Sequence, residues 1–473
     1  MDVCASKPYC QSMKVRIFNH YLYRRTIVQI ALDLALVLLA TALGIAVLGA
    51  GITVSGPAVG MLLLSVAAGI LLINATAGLY QASPVLTLKQ AGGRAAVALL
   101  FALPLTWGIF GLLPATVENP TGISLVAMIA VTTVTLRHVL EIPSSTGRRA
   151  GTRILIYGAG PAARLVGETL QEYDPPAELV GYYPGASEKN FEVPESAQLD
   201  PSSSLKQTAQ YHCVDEIVVA LTERRSGSMP LQELLECKVS GIDVYDIATH
   251  FEKNLGQIRI GYVNPGWLIF GEGFDQGVVR TAVKRTFDIS CSAILLVLAA
   301  PVMLLSALAI KLDSPGPVLY RQERVGLNGR RFSIAKFRSM REDAEKEGRP
   351  RWATANDDRV TRVGRLIRLL RIDELPQIFN VLRGDMSLVG PRPERPFFVD
   401  QLQQHVPYFA VRHSVKPGVT GWAQVRYPYG SSVEDAIQKL QYDLYYVKNH
   451  SLFLDFVILF ETVVVVLTGK GAR

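Results

Sequence analysis

The sequence predicts a membrane protein of mixed α and α/β class. Its expected parts are a four-helix transmembrane unit at 1–148, an α/β middle domain at 149–270 and a mostly α cytoplasmic domain at 279–473 that brings a membrane helix of its own at 286–310. Three observations predict this. Four apolar runs, at about 27–48, 59–79, 95–113 and 123–139, each approach the roughly 20 residues that a spanning helix needs. A strand-like Arg153-Ile154-Leu155-Ile156-Tyr157 runs straight into a glycine turn. A fifth apolar run, 286–310, is followed by a strongly basic stretch.

Size and composition agree. At 473 residues, a prior of one domain per roughly 100–200 residues gives two to four units. A hydrophobic fraction of 49% and a positive mean hydropathy are too apolar for an ordinary soluble enzyme. The cysteines Cys4, Cys10, Cys213, Cys237 and Cys291 are scattered without a CxxC pair, which argues against a disulfide framework and a structural zinc site. The run near Ile27 is too long for the apolar region of a signal peptide and lacks a small-residue cleavage site, so no cleavable leader is expected.

Charge fixes the orientation of the first four helices. Lys14, Arg16, Arg24 and Arg25 precede the first run, Lys89 and Arg94 join the second to the third, and Arg148, Arg149 and Arg153 follow the fourth. The loop at 51–57 has no charge, and the one at 114–120 has only Glu118. Positive residues collect on the cytoplasmic side, so both ends of this unit are expected there. Asp33, the lone acid in the first run, is expected to pack against a neighbouring helix or sit near the interface rather than serve function.

In the middle domain, Gly158-Ala159-Gly160-Pro161-Ala162-Ala163 is the GxGxxA form of a dinucleotide turn, in which glycines let backbone amides approach a pyrophosphate. A helix through Leu170 and a second strand at 217–221 complete a Rossmann-like pattern. The strand ending in Gly181-Tyr182-Tyr183-Pro184 lacks the acid that would hold a ribose, and none of the 18 tyrosines has lysine four residues on. The domain is therefore expected to be a scaffold without nicotinamide chemistry, open to a regulatory nucleotide or a dimer contact.

The run at 286–310 is interrupted only by Asp288, follows Arg280, Lys284 and Arg285, and precedes Lys311, Arg321 and Arg324. Basic residues at both ends conflict with a simple crossing. Pro301 removes a helical hydrogen bond inside the run. The expected element is a re-entrant helix that breaks near Ala300-Pro301 and returns to its side of entry, with a proline-kinked span as the alternative.

Between positions 311 and 371 stand sixteen Lys or Arg against eight Asp or Glu. A solvated basic face would explain this, and nucleic acid is not expected because no binding motif accompanies the charge. An anionic membrane surface and a phosphorylated substrate explain it better. Arg359, Arg362, Arg365 and Arg368 advance by threes and form a slanting stripe on a helix. Arg371-Ile372-Asp373-Glu374-Leu375-Pro376-Gln377 follows, so two adjacent carboxylates sit among guanidinium groups suited to gripping phosphates. Asp373 reads as the N-cap of a helix over 374–382 stopped by Gly384. That position also favours an anion.

Asp373-Glu374-Leu375-Pro376-Gln377, Gly384-Asp385-Met386-Ser387-Leu388 and Pro391-Arg392-Pro393 resemble the motifs of the monotopic phosphoglycosyl transferases, the polyprenyl-phosphate sugar-1-phosphate transferases that start bacterial surface-polysaccharide synthesis. The resemblance runs from about residue 279 to the C-terminus. Longer members of that family add four transmembrane helices and a Rossmann-like domain in front. The resemblance implies transfer of a sugar 1-phosphate from a UDP-sugar to undecaprenyl phosphate, with release of UMP through a covalent aspartyl-phosphosugar intermediate. It implies Asp373 as nucleophile and ligand of Mg²⁺, Glu374 as acid–base aid, and Lys336, Arg338, Arg368, Pro391, Arg392 and Pro393 as contacts to phosphate and nucleotide. It further implies a homodimer in the bacterial inner membrane with its catalytic domain facing the cytoplasm. Arg371 departs from the Ser or Thr of many relatives. The segments 416–425 and 442–448 match motifs whose chemistry the sequence does not give. The segment 452–467, with Asp455 and Glu461, is expected to be an interfacial helix.

Two other classes stay in view. A membrane-anchored nucleotide-sugar epimerase or dehydratase would need the missing Tyr-x-x-x-Lys pair. A non-enzymatic regulator of polysaccharide assembly would not need the acid pair among arginines.

Overall fold

The structure is a computed structural model that describes residues 14–17, 20–48, 56–77, 79–80, 88–111, 120–144, 152–173, 177–186, 188, 190–221, 229–263, 266, 269, 273–274, 277–341, 359–427 and 432–468. The chain divides into two compact units at Leu255/Gly256.

In the first unit a short ribbon of β1 (Lys14–Ile17) and β2 (His20–Tyr23) precedes four helices, α1 (Arg24–Leu48), α2 (Gly56–Thr76), α3 (Leu88–Gly111) and α4 (Pro120–Ser144). Thr26–Leu43, Ala91–Ile109 and Thr121–Leu140 are long and apolar enough to cross a membrane, and Leu63–Ala75 of α2 is a shorter apolar stretch. Val37, Val66, Ile70, Ala102, Ala127 and Val131 form the core between the helices. Leu39, Met61, Leu100 and Leu140 are exposed, so the bundle is apolar inside and out, as lipid requires. Asp33 is fully buried and does pack against a neighbour. It accepts from Arg137 Nη2 (2.6 Å) and Tyr80 OH (2.6 Å), and lies 2.7 Å from His138 Nε2.

The rest of this unit alternates strand and helix: β3 (Arg153–Tyr157), α5 (Pro161–Tyr173), β4 (Glu178–Tyr183), α6 (Leu205–Tyr211), β5 (Glu216–Val219), α7 (Leu231–Val239), β6 (Asp243–Asp246) and α8 (Ile247–Leu255). The sheet is parallel, in the order β4-β3-β5-β6. Buried β3 and β5 read as nearly continuous apolar runs because helices cover both faces. Gly158 has φ +126°, and a Cβ there would lie 2.9 Å from Ala220 O. The glycine turn holds an anion of the chain's own. Glu188 Oε2 accepts from Ala159 N (2.8 Å) and Gly185 N (3.1 Å). Cys237 and Cys291 are free, and Cys4 and Cys10 lie outside the described residues.

The second unit opens with α9 (Val278–Asp313), also long and apolar enough to cross a membrane. α9 runs as one helix through Pro301, where the sequence predicts a break. Both ends are tied into the same unit. Near its start, Arg285 donates to Val381 O (2.6 Å) and Leu382 O (2.7 Å), and Asp288 accepts from Ser387 Oγ (3.1 Å) and Leu388 N (3.2 Å). At its end, Asp313 accepts from Val363 N (3.1 Å), and Ile310 packs with Phe337 and Ile367.

The hairpin β7 (Leu319–Val325) and β8 (Arg331–Phe337) follows, then α10 (Arg362–Leu369), α11 (Gln377–Arg383), β9 (Ser387–Val389), α12 (Pro396–His405), β10 (Gly418–Thr420), α13 (Trp422–Arg426), α14 (Val433–Asn449) and α15 (Leu452–Thr468). Gly384 stops α11 at φ +100°, as expected. The helix start differs. Asp373 lies inside a 3₁₀ turn, Ile372–Glu374, and α11 begins only after Pro376. Proline at the helix boundary satisfies the fixed φ and missing N–H at the first turn, so it, rather than Asp373, marks the helix entry.

Candidate active site

Polar side chains from the β7–β8 hairpin, α10, α13, α14 and the turns between them surround one cavity of about 750 Å³. The β7–β8 hairpin supplies Arg324 and Lys336, with Arg338 just beyond β8. α10 supplies Arg368. Its N-cap Thr361 accepts from Gly364 N (2.9 Å), and a Cβ on Gly364 would fall 2.0 Å from Ser339 O, so glycine lets α10 lie directly on the chain leaving the hairpin. Arg371 then takes a left-handed conformation (φ 58°), unusual for a residue with a side chain, and turns the backbone into the 3₁₀ turn that buries Asp373.

The parallel pair β9–β10 presents Pro391-Arg392-Pro393. Here backbones approach so closely that a Cβ on Gly390 would sit 2.3 Å from Lys416 O. Each residue of the proline loop is held by its carbonyl. Pro391 O accepts from Gly418 N (3.0 Å), Arg392 O from Arg412 Nη2 (2.8 Å) and Pro393 O from Arg324 Nη1 (3.0 Å). The Arg392 guanidinium reaches Glu374 Oε1 through Nη2 (2.7 Å) and Gln424 Oε1 through Nη1 (2.8 Å). Lys336 Nζ donates to the same Glu374 oxygen (2.9 Å).

These contacts separate the two carboxylates. Burial raises the Asp373 pKa, the adjacent Glu374 charge raises it further, and Lys336, Arg368 and Arg392 oppose the rise. Burial alone would raise Glu374 too, but Arg392 and Lys336 outweigh it and hold this carboxyl well below the usual range. Burial lowers the Lys336 pKa, and Glu374 pulls back against that fall. Glu374 is thus a fixed anion clamped between two cations. Asp373 faces the cavity with a more basic carboxylate. Both cations meet Glu374 at Oε1.

Behind Arg392 lies a buried pair. Arg412 Nη2 is 2.8 Å from Asp443 Oδ2, and both residues are nearly inaccessible. Burial pushes Asp443 up to about 6 despite Arg412.

Lys336, Arg338, Arg368, Asp373 and Arg392 all line one cavity. Glu374 reaches it through its ion pairs, while Pro391 and Pro393 frame Arg392 without lining the space. Sequence reasoning gave no role to Gln424, Arg412, Asp443 or Ser314. Gln424 and Asp443 fall in the two segments whose motifs had no chemistry attached. Arg412 carried no signal, since its partners are set by the fold, and Ser314 was legible only as part of the Ser314-Pro315-Gly316-Pro317 stop to the apolar run.

Among the described residues no group of three or more His, Cys, Asp or Glu could hold a metal ion. Mg²⁺ is commonly held by one or two carboxylates plus substrate phosphates. Asp373, buried at the cavity wall and not committed to a salt bridge like that of Glu374, fits that single-carboxylate mode.

A family profile described as bacterial sugar transferase matches residues 279–469. Over 240 residues the chain is 46% identical to a UDP-N-acetylgalactosamine-undecaprenyl-phosphate N-acetylgalactosaminephosphotransferase of Aeromonas hydrophila, covering 51% of this chain and 56% of that protein. It is 48% identical over 193 residues to a UDP-glucose:undecaprenyl-phosphate glucose-1-phosphate transferase of Caulobacter vibrioides, covering 40% of this chain and 71% of the relative. It is 42% identical over 191 residues to an uncharacterized sugar transferase, EpsL, of Bacillus subtilis, covering 40% of this chain and 90% of the relative. The chain spans about half the length of the Aeromonas relative.

Proposed function

Because this chain belongs to the bacterial sugar transferase family, among the polyprenyl-phosphate sugar-1-phosphate transferases, we propose that it transfers a sugar 1-phosphate from a UDP-sugar to undecaprenyl phosphate through a covalent intermediate on Asp373. The observation that carries the reading is the split pair at Asp373 and Glu374. One carboxylate is tied to Lys336 and Arg392, and its neighbour faces a cationic cavity.

The exchange conserves one phosphoanhydride, so the task is to bring a water-soluble donor and a lipid acceptor to one phosphorus. A covalent intermediate divides that task into two displacements. A carboxylate oxygen of Asp373 bonds to the sugar-linked phosphorus while the bond from that phosphorus to the bridging oxygen breaks, and UMP leaves with the electron pair. A phosphate oxygen of the lipid then bonds to the same phosphorus, and Asp373 leaves as the free carboxylate. Arg368 and Arg392 balance the negative charge that each step concentrates. Glu374 keeps Arg392 and Lys336 in place. Mg²⁺, bound beside Asp373, would offset the diphosphate charge.

The membrane setting follows the same reading. We place α9 in the cytoplasmic leaflet as a re-entrant element of a bacterial inner-membrane protein. From Arg285 to Asp313 a straight helix would rise ~42 Å, more than a bilayer core, yet both ends are bonded to the same unit. The sheet of the first unit is read as a Rossmann-like scaffold without a redox step. The Glu188 carboxylate in its glycine turn supports this, since it stands where a pyrophosphate would bind.

Membranes holding the full chain, given undecaprenyl phosphate and a panel of radiolabelled UDP-sugars that includes glucose and N-acetylgalactosamine, should release UMP with one of them. Without acceptor, the sugar label should stay on the denatured wild-type protein and be absent from Asp373→Asn. Equal labelling of the two would assign the nucleophile elsewhere.

A further inference from the structure

The segment 416–425 matches a motif to which the sequence attaches no chemistry, and the structure puts Gln424 from it on the cavity wall with Arg392. Gln424 Oε1 accepts from Arg392 Nη1 (2.8 Å). A guanidinium only donates, so this bond fixes the amide one way round, carbonyl toward Arg392 and NH2 away from it. Nε2 then meets Val419 O at 3.4 Å, a long contact beside the one to Arg392.

The backbone under this side chain is firmly placed, although α13 has only five residues. Its N-cap Gly421 lies so close to the chain entering the proline loop that a Cβ there would stand 2.1 Å from Gly390 O. Gly390 N also donates to Thr420 O (2.9 Å). At the other end, the Arg426 guanidinium lies 4.3 Å from the centre of the Trp422 ring and donates to Glu461 Oε1 (2.7 Å). Gln424 and Arg392 thus rise from backbones packed against each other, and the long arginine side chain meets a partner already in place.

Arg392 has two partners of different charge. Nη2 goes to Glu374 Oε1, which Lys336 shares, and Nη1 goes to neutral Gln424. Two cations facing one carboxylate leave one positive charge over, and the Arg392 side chain is still 31% exposed. A carboxylate in place of Gln424 would align the guanidinium equally well but cancel that charge. An amide aligns it and leaves the charge to a ligand.

Resting on the transferase reading above, we propose that Gln424 is a positioning residue for the donor. It holds Arg392 in the orientation that meets the donor's phosphate, and, being neutral, it leaves the positive charge of Arg392 for that phosphate. It acts through Arg392 and touches no reacting atom.

The test measures UMP binding by calorimetry, donor kcat/KM and Tm on the full chain in detergent. Gln424→Met keeps length and neutrality and removes the acceptor. Its UMP Kd should rise about three- to tenfold, the cost of ordering one released long side chain on binding. Donor kcat/KM should fall by a similar factor, and Tm should move by no more than about 2 °C. Gln424→Glu keeps the acceptor and adds a charge, so Tm should hold or rise while the UMP Kd climbs about tenfold beyond that of Gln424→Met. In an Arg392→Met chain, adding Gln424→Met should change the UMP Kd by less than about twofold, because the residue it positions is gone. An equal loss with Arg392 removed would make Gln424 a direct nucleotide contact and overturn the assignment. Unchanged UMP binding in Gln424→Met would overturn it too, as would Gln424→Glu binding UMP no worse than Gln424→Met. A wild-type chain that releases no UMP from any UDP-sugar would instead remove the transferase reading on which the assignment rests.

Discussion

Burial pushes Asp373 and Glu374 in the same direction, toward the protonated form, and their neighbours then drive them apart. Glu374 exists to be charged: it accepts from Lys336 and Arg392 through one oxygen. Glu374→Gln would leave two cations without their anion in a partly dry site, a change that commonly costs about 3–5 kcal/mol. We therefore expect Glu374→Gln to weaken donor binding and lower thermal stability together, and its pH–rate profile to keep the wild-type shape. A general acid or base would behave differently, since its removal should flatten one limb of the profile at unchanged stability.

Asp443 gives a pH dependence with a definite sign. Its folded value of about 6 lies above the unfolded 3.8. The neutral form therefore stabilises the fold at low pH, and that contribution is lost as pH rises through about 6. The paired, ionised form is the one that holds Arg412, which in turn holds Arg392 O. Activity should fall as pH drops through about 6 while unfolding stability does not fall with it from this group. Asp443→Asn should lower activity at neutral pH and remove that limb. A limb that persists in Asp443→Asn would place its origin in another group. At this scale the sequence revealed the residue types and their order, because motifs are contiguous. It did not reveal that Glu374 is a clamp, since Lys336 and Arg392 lie 38 and 18 positions away.

At the scale of elements, periodicity was legible and boundaries were less so. The apolar runs became helices, and Gly384 ended α11 as its left-handed φ requires. The entry to α11 moved because Pro376 sets it, and the 3₁₀ turn before it depends on Arg371 taking a positive φ that no local preference announces. The glycine turn was readable from Gly158 and Gly160, but its anion, Glu188, comes from 29 positions beyond Ala159. For α9 the sequence predicts a break at Pro301, and the structure shows an uninterrupted helix whose two ends are tied to one unit. Proline removes one hydrogen bond, which a helix can absorb as curvature. The re-entrant placement is tested by single cysteines at Val279 and Leu312, both highly exposed and clear of the Ser314–Arg338 contact. An impermeant maleimide should label neither in intact cells and both after lysis. Labelling of Leu312→Cys from outside would make α9 a span.

For the whole molecule, the boundary of the catalytic unit is the quantity on which sequence and structure diverge. The family profile starts at residue 279, which is also where the sequence motifs start. The compact unit starts at Gly256. The intervening residues are joined to the C-terminal helices. Trp422 is buried, stacks on Tyr445, and donates from Nε1 to Gly256 O (2.7 Å). Gly256 has φ +60°, and a Cβ there would stand 2.9 Å from the Trp422 ring, so the segment closes over the indole. Gln257 Nε2 donates to Gln441 Oε1 (2.7 Å), and Ile258 N donates to Gln441 O (3.0 Å). Trp422 follows β10, and Gln424 on the same short helix holds Arg392, so this contact supports the site from behind. A chain beginning at residue 279 leaves the Trp422 N–H and the Gln441 carbonyls without these partners, at about 1–3 kcal/mol for each buried group left unsatisfied. A chain beginning at Gly256 keeps them. Both truncations should bind detergent through α9. The longer one should melt several degrees higher and retain more transferase activity, and Trp422→Phe in the full chain should lose about 1 kcal/mol by deleting the same hydrogen bond. If the two truncations melt together and are equally active, residues 256–278 are a linker, and the catalytic unit begins where its motifs do.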